Sequence, residues 1–97
     1  MSRSNVSSEQ ARVHFTQGAS QLTVEIVRPR RSPVIASLHG SLLALGLIVA
    51  SYQAVRAPLG LVERVVLERR DGGAIDAALS AATQAAILPI ALDEAGA

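Results

Sequence analysis

The sequence has no cysteine, no lysine and no tryptophan, and its aromatic side chains are one Phe and one Tyr. Without cysteine there is no disulfide framework, no thiolate metal site and no thiol nucleophile. With so few aromatics the core has to be aliphatic, and a sheet that stacks RNA bases on aromatic rings is not expected. All nine basic residues are Arg; with the Ala content, this skew reflects a GC-rich genome rather than chemistry. A net charge of +1 gives no argument for a nucleic-acid or acidic-lipid partner. His14 and His39 are the only histidines and neither has an acidic cluster in sequence, so no metal and no cofactor are expected. No Ser/His/Asp arrangement is credible, and Asp93 and Glu94 lie in a tail that cannot hold acid/base geometry. No catalytic residue is assigned, and the chain is not read as an enzyme.

What the sequence does have is a long uncharged run. Arg28, Arg30 and Arg31 stand before 24 residues, 32–55, without Asp, Glu, Lys or Arg. Hydropathy and the basic flank read this run as a membrane anchor. Caps and periodicity read it differently. Ser32-Pro33 is a helix start, with Ser as N-cap and Pro at the first helical position. Ile35, Leu38, Leu42 and Leu45 recur at helical spacing, with Ser37, Gly40, Ser41 and Ala44 on the other side. Gly46 ends the helix, and "LIVASYQAV" after it has the composition of a strand. His39, Gly40 and Ser41 near the middle also suit a membrane helix poorly. The preferred reading is a helix and a strand joined at Gly46, with no membrane partner and a cytoplasmic location. A small membrane-anchored protein is the weaker alternative.

The rest of the chain extends this reading. Residues 1–12 are Ser-rich and polar and read as a disordered arm with no secretory h-region. "VHF" at 13–15 gives a possible extra N-terminal strand. "QLTVEIV" alternates, with Leu22, Val24 and Ile26 on one face and Thr23, Glu25 and Val27 on the other. "LVERVVLERR" at 61–70 is a strand, and Asp71-Gly72-Gly73 is turn chemistry. "AIDAALSAATQAA" at 74–86 reads as a helix with Ile75, Leu79, Ala82 and Ala86 on one face. "ILPIAL" at 87–92 reads as a closing strand, with Pro89 marking an edge or bulge. A single domain over 13–92 and a tail at 93–97 follow. The order is β-α-β-β-α-β: an α+β, ferredoxin-like fold with an antiparallel four-stranded sheet and two helices on one face.

"VEIVRPRRSPVIASLHGSLLALGLIVASYQAV" followed by "VERVVLERRDGG" resembles an ACT domain, the small ligand-binding regulatory module of amino-acid-metabolic enzymes. The resemblance covers about residues 20–92 and rests on the order and lengths of the elements. It implies a regulatory domain that binds a small metabolite, an amino acid or another anion, at a subunit interface. Carried over residue by residue, the ligand loop is Arg28, Arg30, Arg31, Ser32 and Pro33, with Gly46 and Ile48 completing the site. Two positions depart from the family pattern: its loop Gly falls on Pro33, and its Asn beyond the helix-ending Gly falls on Ile48.

Read by themselves, the three arginines beside a helix N-terminus suit a carboxylate, a phosphate or an acidic partner surface. They equally suit a solvated loop. Glu63, Arg64, Glu68, Arg69 and Arg70 alternate along a strand as cross-strand or cross-subunit ion pairs do. His39 and Tyr52 read as surface or packing residues. Two functions are expected from this pattern. One is a homo-oligomeric regulatory domain, a homodimer or larger, holding a small metabolite; the other is a protein-interaction scaffold of the same fold with a partner protein and no ligand.

Overall fold

The alternating segment 22–28 is a strand, and the residues that were expected to point inward do so. A computed structural model describes residues 2–7, 11–28, 33–58 and 60–92. Its elements are β1 (Ser2–Ser7), β2 (Arg12–Gln17), β3 (Leu22–Arg28), α1 (Ile35–Ala44), β4 (Leu47–Ala57), β5 (Gly60–Arg69) and α2 (Ala77–Ala91). The strands form one antiparallel sheet in the order β1-β2-β3-β5-β4. On one face Val13 and Phe15, Leu22, Val24 and Ile26, and Val65 and Leu67 are buried. Leu38 and Leu42 of α1, with Ile87 and Ala91 of α2, complete that core. The α+β class, the antiparallel β2-β3-β5-β4 sheet and the two helices are compatible with a ferredoxin-like arrangement.

The uncharged run is not one helix. It divides into α1 of 10 residues, a turn at Leu45-Gly46, and β4 of 11 residues. Gly46 has φ +72°, a backbone region that costs other residues about 1 kcal/mol or more. The expected apolar stripe of α1 holds: Leu38 and Leu42 are buried, and Ile35 and Leu45 pack against them in part. The helix starts later than its sequence suggests. Val34, not Ser32, is the N-cap residue, and Pro33 lies before the helix. Among the described residues, no helix is long and apolar enough to cross a membrane.

Two assignments at the ends of the chain are corrected. "ILPIAL" is not a closing strand, because α2 runs through it to Ala91 with Pro89 inside the helix. Six apolar residues carry no decisive period; here Ile87 and Ala91 extend a buried stripe with Ser80 and Thr83. That stripe also replaces the expected Leu79, Ala82 and Ala86 face, and the Thr83 hydroxyl is satisfied by donating to the Leu79 carbonyl at 2.7 Å. The place beside β3 that a last strand would take is held by β2. At the other end, Ser2–Ser7 is drawn into the sheet as β1 against the outer edge of β2, since backbone pairing needs no apolar side chain. Residues 93–97 lie outside the described residues.

The connection into α2 is pinned to the β2–β3 turn. The Ile75 N–H donates to the Ala19 carbonyl at 3.0 Å, and the Gln17 Nε2 donates to the Ile75 carbonyl at 2.9 Å. Asp76 then caps α2, accepting from the Leu79 N–H at 2.8 Å. That bond satisfies one of the donors a helix start leaves open.

Candidate functional site

The residues expected to bind a ligand fall at the two ends of α1. Arg28 closes β3, half-buried and opposite Leu61 in register. Pro33 is exposed just before the helix. Arg30, Arg31 and Ser32 lie outside the described residues. Gly46 and Ile48 stand beyond the other end of α1, where Ile48 is 41% exposed on β4. A helix of 10 residues is about 15 Å long. Within one chain Arg28 and Pro33 therefore do not meet Gly46 and Ile48.

The start of α1 holds a group the sequence pattern did not assign to it. Glu63 of β5 is 0% exposed. Its Oε1 and Oε2 accept from the Val34 N–H at 2.9 and 3.0 Å, and Oε1 accepts from the Tyr52 hydroxyl at 2.9 Å. Glu63 faces inward because β5 places Leu61, Glu63, Val65 and Leu67 on the helix side. Its cross-strand neighbours are Ile26 and Ala54. The expectation of an ion pair at Glu63 is thus corrected: it takes a backbone N–H and a phenol. Burial pushes the Tyr52 phenol up to about 12, and the hydrogen bond to Glu63 and its negative charge act in the same direction. A buried carboxylate needs such donors to offset its lost hydration. The Val34 N–H, which an anion at this helix start would use, is already engaged by the chain's own side chain.

The charges from Glu68 to Asp71 are also used locally. Arg69 pairs with Asp71 at 2.6 Å and donates to the Ala74 carbonyl at 3.4 Å. The Gly73 N–H and then Arg69 hold the Asp71 carboxyl below its usual range. Arg70 donates to the Leu43 carbonyl at 3.2 Å, which caps the end of α1, and its N–H donates to the Gly46 carbonyl. Glu68 accepts from the Gln21 side chain at 2.7 Å. Glu25 and Arg64 stand opposite each other on the open face of the sheet. A cleft of about 660 Å³ opens between Leu45-Gly46 and the start of α2 at Asp76 and Leu79. Its charged walls, Arg69, Arg70, Asp71 and Asp76, are committed to the turn and the two helix ends.

Compared with protein-family models, curated proteins and solved structures, the chain matches none. The site therefore rests on its own geometry. His39 is exposed, and among the described residues no group of His, Cys, Asp and Glu could hold a metal ion. Glu63 and Tyr52 were legible only indirectly. Glu63 has the inward parity of β5, and the β4–β5 hairpin sets Ala54 opposite it, one step along the same face from Tyr52.

Proposed function

We propose that the chain is a non-catalytic, ACT-like regulatory domain that works as a homodimer and takes a small metabolite at the dimer interface. The observation that carries this reading is the free edge of β4. Among the described residues it is the last strand of the sheet and pairs only with β5. Its 11 residues expose Ile48, Val49 and Val55, and its one charge is Arg56. Long apolar edges are normally covered or charged, because they recruit another strand.

Antiparallel pairing of β4 with its copy also repairs the split site. The start of α1 lies beside the end of β4, since Val34 bonds Glu63 and Glu63 stands opposite Ala54. Gly46 and Ile48 lie at the start of β4. Antiparallel copies bring the start of one β4 to the end of the other. Gly46 and Ile48 of one protomer then approach Arg28 and Pro33 of its partner. The Arg28 guanidinium favours a carboxylate or phosphate.

A second reading, a scaffold of the same fold with no ligand, is favoured by Glu63. Its carboxylate already takes the Val34 N–H, and Ile48 brings no polar group. Sedimentation across concentration, followed by thermal-shift screening with amino acids and small carboxylates, separates the two. A ligand at 100 times its Kd raises stability by about 2.7 kcal/mol. A dimer stabilised by no compound selects the scaffold; a chain that stays monomeric overturns the self-pairing that both dimeric readings use.

A further inference from the structure

We infer that two copies pair with Ala54 opposite Ala54, so that Arg56 of each protomer lies against Tyr52 of the other. The inference rests on the self-pairing of β4 proposed above and fixes its register.

Parity limits the choices. Residues directly opposite each other in an antiparallel pair face the same side of the sheet. A two-fold axis normal to the sheet, which keeps both helix layers on one side, therefore sets one residue opposite its own copy. The regular part of β4 then selects that residue. The β4–β5 register shifts between Val49 and Ser51, and β4 ends at Ala57. A bulge breaks the even spacing of edge groups that a new strand needs. The straight edge is Ser51–Ala57, and its middle is Ala54.

The side chains on the helix face agree with this register. Tyr52, Ala54 and Arg56 share that face, opposite Val65, Glu63 and Leu61. With Ala54 on the axis, Tyr52 stands opposite the partner's Arg56, and two small methyl groups meet between them. Arg56 is exposed, and its side chain makes no hydrogen bond or ion pair with a described residue. Tyr52 is half-buried, and its hydroxyl is bonded to the buried Glu63 carboxylate. A guanidinium against that ring gains the cation–aromatic attraction and sits on the side of β4 that carries the Glu63 carboxylate, which forms no ion pair with a described residue. Neighbouring registers lose both features. An axis on Gln53 puts Arg56 opposite the bulge at Ala50, and an axis on Tyr52 puts Ala54 there and stacks Tyr52 on itself.

The absence of cysteine makes the test direct. Single variants Ser51→Cys, Ala54→Cys and Ala57→Cys of the full chain are oxidised in air and run on non-reducing gels. A disulfide needs Cα atoms about 4.4–6.8 Å apart, which opposite residues of an antiparallel pair meet. In the inferred register each cysteine at 51 or 57 lies about 20 Å from its own copy, at ~3.4 Å per residue. Ala54→Cys is expected to bridge rapidly and the other two to stay largely monomeric on the gel. Arg56→Ala, measured by sedimentation, is expected to weaken the dimer about tenfold, since symmetry removes two cation–aromatic contacts at once. A wild-type dimer whose Ala54→Cys form does not bridge, or whose Arg56→Ala form associates equally well, overturns the inference and leaves self-pairing intact. A wild type that is monomeric at every concentration overturns both.

Discussion

Glu63 is the side chain whose removal reports most directly on how α1 is held. Glu63→Ala deletes both acceptors of the Val34 N–H and the acceptor of the Tyr52 hydroxyl. A buried N–H left without an acceptor costs about 1–3 kcal/mol, and the lost bond to the phenol costs about 1 kcal/mol more. Release of a carboxylate from a site where it is 0% exposed offsets part of this, because buried charges are held at a desolvation cost. The expected net loss is about 2–3 kcal/mol, a large share of the ~5–15 kcal/mol of an ordinary domain. At roughly 4–8 °C per kcal/mol for a chain of this size, the Tm falls by about 10–20 °C. Glu63→Gln keeps the volume and one acceptor oxygen, but its amide nitrogen cannot take the Val34 N–H, so about 1 kcal/mol is lost. The assay is urea unfolding followed by far-UV circular dichroism, because the chain has no tryptophan. Equal stability of Glu63→Ala and wild type within about 0.5 kcal/mol, the usual range of a surface change, would refute the reasoning. So would a Glu63→Leu variant more stable than wild type, which would make the carboxylate a net burden on the fold.

Tyr52 is the only tyrosine, so phenolate absorbance reads it alone; its midpoint is expected at about 12. A raised folded value keeps the proton on the native state, so stability is full below about pH 10, the unfolded value, and is lost as pH rises through 12. Urea midpoints taken across that window check the sign, and Glu63→Gln is expected to move the phenolate midpoint back toward its ordinary value. Gly46→Ala meets no atom within 4 Å but must adopt φ +72°, so thermal unfolding should show a loss of about 1 kcal/mol from backbone strain alone. Pro89→Ala removes an exposed proline from inside α2 and is expected to raise stability by about 1–2 kcal/mol in the same assay; an unchanged Tm would contradict the helical assignment of 87–91.

The middle of the chain was legible because its signals agree with one another. Alternation over Leu22–Val27, the stripe Ile35-Leu38-Leu42-Leu45 and the stop at Gly46 each point to the element that forms. The ends were not. A Ser-rich segment shows nothing of its backbone pairing, and "ILPIAL" carries the same apolar run whether it ends a helix or makes a strand. The site divides in the same way. Gly46 could be read as a turn, because φ is a local property. The role of Glu63 depends on parity along β5, on the hairpin that brings Tyr52 within reach, and on a helix start 29 residues earlier. Its neighbours Arg64, Arg69 and Arg70 suggested exchanged charges, yet Arg64 faces the open side of the sheet while Glu63 faces the core.

The exchange of a last strand for β2 alters the order in which the sheet is assembled. Where a first strand waits for a final one, the centre of the sheet is complete only when the whole chain is present. Here every described strand precedes α2, and the last of them ends at Arg69. Three of its pairings, β1 with β2, β2 with β3 and β4 with β5, join neighbours in sequence. Only β3 with β5 spans a helix. Short loops close at lower entropic cost than long ones and lead to faster folding. The chain can lay down the β1-β2-β3 meander and the β4-β5 hairpin, dock them, and cover the result with α2 last.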